Sequence, residues 1–427
     1  MSILTSMATA ISGLQSNGQS LGIISDNIVN ANTTAFKSSR GHFESVLAQD
    51  LLGSEGSQLG QGTRMAGVTS VFTQGPINRT DRSTDLAING NGFFIMKGGK
   101  GISYTRDGGF EFDREGFLSN IHGNRVQGYL ADQQGRITGK LGDVRLPYKT
   151  IPAKSTTNVQ VHVNLDARSP VGQPIDLTRP EETNHYTTAT QIYDSIGNSH
   201  AISLYFNKTG ETNWEWYAMT DGAELAGGTT GQMQAVAQGN LIFNEEGKLQ
   251  TTEQSLINTT FANGAIADQQ LSFDWGDAIE AGGTGVRGAT QYGTKSGVFR
   301  NQQDGYGAGM LVDATVDTEG IITGAYSNGI NVVLAQTALA RFEATERLTK
   351  VGENQFRESR LSGSPLIAKA NTNGIGGLMS KSLEASNVDI AHEFVEMIKA
   401  QRGFQASAKS ITTANEMMDE VINIKRS

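Results

Sequence analysis

The chain has 427 residues, a net charge of −9, a hydrophobic fraction of 37% and no cysteine. Its length suffices for two or three domains, its acidic balance argues against nucleic acid as a partner, and its lack of cysteine excludes disulfides, thiolate metal sites and thiol nucleophiles. No run approaches the ~18 apolar residues of a membrane span. The N-terminus also lacks the basic region of a secretory signal peptide.

The first 30 residues predict a helix that buries a narrow seam against another helix, because apolar side chains recur on one face. This predicted N-terminal seam consists of Met7, Ile11, Leu14, Leu21, Ile24 and Ile28. Asp26 is the only charged residue in the first 36. Gly13, Gly18 and Gly22 each cost a helix ~1 kcal/mol relative to Ala. We expect a helix that ends near Asn30 and becomes stable only after packing on other protein.

The middle of the chain is predicted to be β-structure, because its 52 glycines and short apolar runs favour strands and turns. Four segments place Asp or Asn at the first position of a turn and Gly at the last: 113–116, 132–135, 244–247 and 317–320. They lack the spaced acidic ligands of a calcium loop and are interpreted as hairpin turns. Alternation through Ile202, Leu204, Phe206, Trp214 and Trp216 predicts strands with one buried face.

The C-terminal part predicts a second long helix. After Asn331 the pattern is helical or mixed through Leu348, and residues 359–380 are expected to form a loop. The final helix is predicted to begin at a cap formed by Ser386 or Asn387. Its seam is predicted at Ile390, Phe394, Met397, Phe404, Ile411, Met418 and Ile422, with Phe394, Ala408 and Ile422 forming a row four residues after the first.

These elements predict an α+β, mainly β chain in which paired terminal helices flank inserted β-domains. The terminal domain comprises 1–30 plus 386–427, and connecting segments comprise 31–70 plus 360–385. One β-domain comprises 71–148 plus 300–359, and an inserted one comprises 149–299. The seams pack either within one chain or between chains, and the missing charges and the glycines near the N-terminus favour contacts between chains.

No metal-ligand spacing, nucleotide loop or catalytic triad motif is present, so neither an enzyme nor a cofactor is expected. From another functional class, the β-rich centre could be an adhesin or binding module on a helical anchor. In that alternative, Trp214, Trp216 and Trp275 would line an exposed ligand groove.

Both ends of the chain resemble the flagellar rod and hook axial protein family. The N-terminal resemblance spans Asn27–Lys37, and the C-terminal one spans Ser382–Asp389, Phe394–Ile398 and Gln401-Arg402. The matching positions singled out are Asn30, Asn32, Thr33, Phe36, Lys37, Ser386, Asn387, Val388, Asp389, Gln401 and Arg402. The family usually has Gly where Ala35 stands. Length and the segment Tyr193–His200 favour the hook members of the family over a distal rod protein, which remains the alternative.

The resemblance implies a structural subunit that polymerises into the flexible, curved hook and transmits torque from rod to filament. It implies self-association, an extracellular location in the flagellum and export by the flagellar type III apparatus without signal-peptide cleavage. The implied partners are the distal rod protein, the hook cap and the hook–filament junction protein. Neither nucleic acid binding nor membrane insertion is expected.

Overall fold

The chain is mainly β with a long helix at each end, as the sequence predicts. The computed structural model describes residues 3–46, 49–50, 58–59, 61–132, 135–146 and 150–424. The helices are α1 (Ile3–Val29), α2 (Pro180–Thr183) and α3 (Ile390–Ile424). The first helix therefore ends within one residue of its predicted end. Among the described residues, no helix combines the length and apolarity needed to cross a membrane.

The strands follow one another in chain order. The first group is β1 (Ser39–Ser45), β2 (Gln49–Asp50), β3 (Gln58–Leu59), β4 (Thr63–Ser70), β5 (Ile77–Arg79), β6 (Leu86–Asn89), β7 (Phe93–Gly98), β8 (Gly101–Thr105), β9 (Phe110–Phe112), β10 (Leu118–Asn120), β11 (Arg125–Ala131) and β12 (Ile137–Asp143). The second group is β13 (Thr150–Ile151), β14 (Asn158–Asn164), β15 (Tyr186–Tyr193), β16 (Ser199–Lys208), β17 (Asn213–Asp221), β18 (Met233–Phe243), β19 (Leu249–Leu256), β20 (Ser272–Asp274) and β21 (Gly297–Gln303). The third is β22 (Gly309–Val316), β23 (Ile321–Tyr326), β24 (Asn331–Arg341), β25 (Thr349–Gly352), β26 (Gln355–Arg357), β27 (Leu366–Lys369), β28 (Gly377–Ser380) and β29 (Ser382–Glu384).

The chain divides into two compact units. The terminal unit contains both chain ends and comprises Met1–Pro147, Asp313–Ala325 and Asn331–Ser427. The central unit comprises Tyr148–Val312 and Tyr326–Ile330. The finer division into a helical part, connecting segments and two β-domains stays a prediction.

Strand β24 is the middle of the terminal unit. It pairs with β7, β11, β23 and β27, all antiparallel. Ala335 and Leu339 face one apolar core with Phe94, whereas Ala338 and Ala340 face another. The expectation of helical or mixed structure after Asn331 is therefore wrong. A strand that is buried on both faces lacks the alternation by which strands are recognised.

The expected loop over 359–380 is also partly wrong. Residues 366–369 form β27 on the edge of β24, and residues 377–380 form β28 on β6. These strands are only four residues long, so a period of two has little length in which to appear. The remaining residues of the segment are loop, as predicted.

The central unit is a sandwich of a five-stranded antiparallel sheet, β15-β16-β17-β18-β19, and a three-stranded sheet, β20-β14-β21. The sequence correctly predicts β16 and β17, whose inward side chains fill the core between the sheets. Trp214, Trp216 and Trp275 are fully buried in that core. An exposed groove lined by these residues, as the adhesin alternative required, is therefore wrong.

Three of the four predicted Asp/Asn-to-Gly turns are confirmed, and the middle residues of the fourth, 133–134, lie outside the described residues. The side-chain oxygen of Asp113 accepts hydrogen bonds from the backbone N–H groups of Glu115 and Phe117, both at 2.8 Å. Asn244 and Asp317 make the same pair of bonds two and four residues on. Each glycine that ends a turn has a positive φ, which glycine adopts without steric cost.

Candidate assembly site

Helices α1 and α3 lie against each other in the terminal unit. The covered face of α3 alternates spacings of four and three residues, as in a coiled coil. It comprises Glu393, Met397, Ala400, Phe404, Ser407, Ile411, Ala414 and Met418. Four predicted seam residues, namely Met397, Phe404, Ile411 and Met418, therefore lie on the covered face, and the Phe404 ring lies 3.9 Å from where a Cβ at Gly18 of α1 would be.

The other predicted row of α3 is mostly uncovered within the chain, because Phe394 and Ile422 are exposed, Phe394 by 49%, whereas Ala408 is half-buried. Ile390, at the start of the first row, is exposed as well. The second covered row instead contains Ala400, Ser407 and Ala414. Sequence reading looked for large apolar residues and so placed that row four residues after the first instead of three.

On α1 the predicted seam is mostly covered by the rest of the terminal unit. Ile24 is buried, and Met7, Leu14, Leu21 and Ile28 are half-buried, but Ile11 is exposed. The hairpin of β1 and β4 also packs on α1, where the Ser16 hydroxyl lies 3.0 Å from that of Thr63. The covered surface of α1 is therefore shared between a helix and a ribbon.

Glycines let the two helices approach closely. A Cβ at Gly13 would lie 3.0 Å from the Ser407 hydroxyl, and one at Gly403 would lie 2.7 Å from the Asn17 side-chain oxygen. The sequence identified Gly13 only as destabilising to a helix. Its lack of a side chain also makes room for the partner helix.

Asn27 connects three elements where α1 ends. Its amide nitrogen donates to the Glu393 carboxylate at 3.1 Å and to the Ser39 carbonyl at 3.0 Å. Its amide oxygen accepts from the Ser39 N–H at 2.8 Å. Burial raises the pKa of Glu393, partly opposed by the hydrogen bond from Asn27. This bonding fixes the first turn of α3 relative to the last turn of α1.

A buried ion cluster lies where both terminal segments enter the β-structure. Lys37 Nζ lies 2.6 Å from Glu384 Oε1, and both side chains are fully buried. The Arg106 guanidinium contacts the other Glu384 oxygen at 3.3 Å. Burial lowers the pKa of Lys37, and the neighbouring Glu384 carboxylate opposes that shift. Glu384 thus balances two buried cations from distant parts of the sequence.

Neutral hydrogen bonds complete this cluster. Lys37 also donates to the Thr73 carbonyl at 2.8 Å, and Glu384 accepts from the Gly75 N–H at 2.9 Å. A Cβ at Gly75 would lie only 2.2 Å from the Ala385 carbonyl oxygen, so only glycine fits there. The resemblance included Lys37, but the sequence offered no signal for Arg106, which is one of many scattered cations.

The C-terminal motif residues have roles other than those predicted. Asn387 bridges strand ends, accepting from the Ser38 N–H at 2.8 Å and donating to the Val71 carbonyl at 2.8 Å. The cap of α3 is Asp389, whose carboxylate accepts from Ala391 N–H at 2.9 Å and His392 N–H at 3.2 Å. The prediction that Ser386 or Asn387 caps the helix is therefore wrong, because Asn387 is used by the β-segments.

The remaining motif residues lie in two places. Asn30 and Thr33 form the turn after α1, joined at 3.2 Å, and Phe36 is buried beneath the Lys350 ammonium. Asn32 is exposed there, whereas Ser386 is buried and Val388 half-buried before α3. Gln401 and Arg402 are exposed on α3. The structure therefore does not bring Gln401 and Arg402 to the ion cluster.

Ala35 has a φ of 55°, in the left-handed region. Non-glycine residues seldom adopt this conformation, which is natural for glycine. The resembling family usually has Gly at this position, so the departure retains the backbone bend with a side chain that strains it.

Comparison with known proteins agrees with the resemblance along the whole chain. The domain families that match are the "Flagellar hook protein FlgE/F/G D1 domain" over residues 87–166, the "Flagellar basal body protein FlaE D2 domain" over 164–306 and the "Flagellar basal body rod FlgEFG protein C-terminal" over 379–424. The chain is 32% identical to the flagellar hook protein FlgE of Treponema pallidum, covering 99% of this chain and 100% of that protein. It is 33% identical to that of Salmonella typhimurium, covering 98% and 100%.

The chain belongs to the flagellar hook protein FlgE family. The fold agrees, because a crystal structure of Helicobacter pylori flagellar hook protein FlgE2 superposes with a TM-score of 0.51. That structure has 14% sequence identity and covers 72% of this chain and 100% of its own. As a FlgE-family member, the chain is a structural subunit of the bacterial flagellar hook.

Proposed function

We propose that the chain polymerises through its terminal helices into a flexible, curved tube that transmits torque from rod to filament. The observation that carries the proposal is the uncovered face at the start of α3. Ile390, Phe394, Val395 and Ile398 are all exposed there, within about two turns of helix. An apolar patch of this kind on one chain indicates contact with another protein.

The composition of α1 supports contacts between copies. It carries one charged residue, and its Gly22 has open space around it. A solvated helix normally has a charged face, so α1 is suited to contact other copies on several sides. Head-to-tail contacts that do not close into a ring produce a helical polymer, which is the geometry that a tube requires.

We also propose the partners and the route that the family resemblance implies. The partners are the distal rod protein at the base, the hook cap during growth and the hook–filament junction protein at the end. The chain reaches the extracellular hook through the flagellar type III apparatus without losing a signal peptide, and it has no catalytic role. Mass spectrometry of chains from isolated hooks tests the export proposal, which requires an uncleaved N-terminal segment.

Truncation tests the polymerisation proposal directly. A strain lacking this gene is complemented with the full chain or with a chain lacking residues 388–427, and basal bodies are examined by electron microscopy. We expect rod-stage basal bodies without hooks, rescued only by the full chain. Intact hooks with the truncated chain would exclude α3 from assembly.

Point substitutions separate packing within a chain from packing between chains. Met397→Asp and Phe404→Asp place a carboxylate against α1 and should block assembly while the β-sheets stay folded. Phe394→Asp changes an exposed face and should leave the lone chain as stable as before, yet block assembly. Gln405→Asp, at another exposed position of α3, is the matched control. Normal hooks from Phe394→Asp would show that the exposed face of α3 is not needed for contact between chains.

A further inference from the structure

An open cleft of about 500 Å³ lies on the surface of the central unit. Val286, Tyr292 and Phe299 line it, and all three are exposed, Phe299 by 76%. Arg287 lines the cleft as well, and Arg300 lies opposite the lining residue His162 in the pair of β14 and β21. The segment 286–300 contains one further cation, Lys295, and no acid. Arg300 donates to the side-chain oxygen of Gln302 at 2.7 Å, and among the described residues none of the three cations forms an ion pair with a carboxylate. We call this surface the basic cleft.

A second apolar surface of the same unit has acidic residues instead. Ile266 is 73% exposed, and Ile196 beside it is also exposed, since the Ile266 N–H donates to the Ser195 hydroxyl at 2.8 Å. Asp268 is exposed two residues further on. The half-exposed Glu224 carboxylate, which pairs with His200, lies beside the same loop, because the His200 ring stacks on Phe261 and the Glu224 carbonyl accepts from the Ala262 N–H. We call this surface the acidic rim.

The two surfaces lie at opposite ends of strand β14. The acidic rim adjoins the start of the strand, where the Thr156 carbonyl accepts from the side chain of Gln269 at 2.8 Å. The basic cleft adjoins its end, where the Asn164 side chain accepts from the Tyr292 N–H at 3.0 Å. Asn164 is eight residues after Thr156, a span of about 26 Å at ~3.3 Å per residue of extended chain.

We propose that the basic cleft of one copy receives the acidic rim of the next copy. Both surfaces expose large apolar side chains, and their charges are opposite, so each supplies what the other lacks. Two different surfaces at opposite ends of one strand make a head-to-tail contact, which extends from copy to copy without closing. The inference rests on the proposed polymerisation and assigns it a contact outside the terminal helices.

Cysteine cross-linking tests the contact, because the chain has no cysteine of its own. Hooks are isolated from cells that express Phe299→Cys, Ile266→Cys or both in one chain, then oxidised and separated on a denaturing gel. The double variant should give a ladder of trimers and larger species, whereas each single variant stays monomeric. Dimers from Phe299→Cys alone would mean that clefts meet each other, which overturns the proposal, as would a double variant that stays monomeric.

Charge reversal provides a test that does not depend on cysteine. In the double-cysteine chain, Arg300→Glu should reduce ladder formation at least tenfold, and added Asp268→Lys should restore it. Val171→Asp, at an exposed apolar position of the same unit outside both surfaces, is the matched control and should leave the ladder unchanged. An unchanged ladder with Arg300→Glu would show that charge pairing does not contribute to the contact.

These outcomes are separable from failure of the proposed function. If the proposed polymerisation is wrong, hooks persist when residues 388–427 are removed. If only the contact between cleft and rim is wrong, hooks depend on those residues but show no ladder. Thermal unfolding of each purified variant confirms that the central unit is folded, because all substituted side chains are exposed in the single chain.

Discussion

The core of the central unit and the terminal helices bury their apolar residues very differently. In the central unit, three tryptophans and the side chains around them are withdrawn from water between two sheets. Along α1 and α3, the covered faces are mostly half-buried, with Ile24, Ala400 and Ala414 among the few buried apolar residues. The comparison teaches that the core of the central unit is complete within a single chain, whereas the terminal helices leave large apolar side chains exposed, which the proposed polymerisation would cover.

The largest expected effect comes from a substitution in the core of the central unit. Trp275→Ala removes a ring that stacks on Phe273 and contacts Trp216 at a centroid distance of 4.9 Å. We expect a loss of about 3–5 kcal/mol in the free energy of unfolding of the central unit, the usual cost of such a cavity. Urea unfolding followed by far-UV circular dichroism measures it. Tyr292→Ala, on the surface, should stay within ~0.5 kcal/mol, and a similar loss in both would contradict a self-sufficient core.

The second substitution tests whether the buried ion cluster stabilises the terminal unit. Glu384→Gln leaves Lys37 and Arg106 buried without a counter-charge, which costs about 3–5 kcal/mol. We expect a lower unfolding midpoint of the terminal unit. The control is Glu111→Gln, which breaks an exposed pair with Arg82 at 3.5 Å. Exposed ion pairs contribute at most ~1 kcal/mol. Equal effects of the two substitutions would therefore show that the buried cluster stabilises the terminal unit no more than a surface pair does.

Low pH should destabilise the central unit through protonation of Asp304. Burial opposes ionisation of this carboxyl, but hydrogen bonds from the Asn158 and Thr157 N–H groups and from Lys154 outweigh it and hold its pKa well below the ordinary range. Because the pKa is lower in the folded state, the stabilisation is present above about pH 4, the unfolded value, and is lost as pH falls toward the folded value.

Asp304→Asn should therefore destabilise the central unit by about 2 kcal/mol at pH 7, the order of charged hydrogen bonds. The difference from the natural chain should shrink steadily below pH 4. Thermal unfolding at a series of pH values measures it. A difference that does not change down to pH 2 would show that the carboxylate charge contributes nothing.

The smallest expected effect is a gain in the stability of helix α1. Gly18→Ala meets only the Phe404 ring at 3.9 Å, and Gly22→Ala meets nothing within 4 Å. Each should stabilise α1 by ~1 kcal/mol and slow hydrogen exchange of its amides in the single chain. Gly13→Ala is the matched comparison and should gain less, because its Cβ would lie 3.0 Å from Ser407. Equal protection in all three variants would mean that close helix contact is unimportant.

The sequence predicted the features that are local or periodic. The sevenfold row of Met397, Phe404, Ile411 and Met418 was sufficient to predict the helix α3, and these four residues lie on its covered face. The Asp-to-Gly turns were likewise predictable, because a side chain and the backbone two to four residues away form the whole structure. The end of α1 was predicted from Asn and Thr, which favour helix ends.

What the sequence missed depends on contacts between distant residues. Strand β24 had no alternation because both of its faces are buried, and the cap at Asp389 depended on Asn387 being used elsewhere. The ion cluster joins positions 37, 106 and 384, and no spacing rule relates three such positions. The resemblance marked Lys37 as notable, but its partner and its burial required the folded chain.

The buried cluster also has a consequence for the order in which the chain can fold. Lys37 and Arg106 appear early in the sequence, and the carboxylate that neutralises both appears only at residue 384. A chain that emerges from a channel N-terminus first therefore has two cations to bury and no counter-ion until nine-tenths of it has passed. The buried cluster can therefore form only after residue 384 is present, so its three charges come together late in any N-terminus-first delivery of the chain.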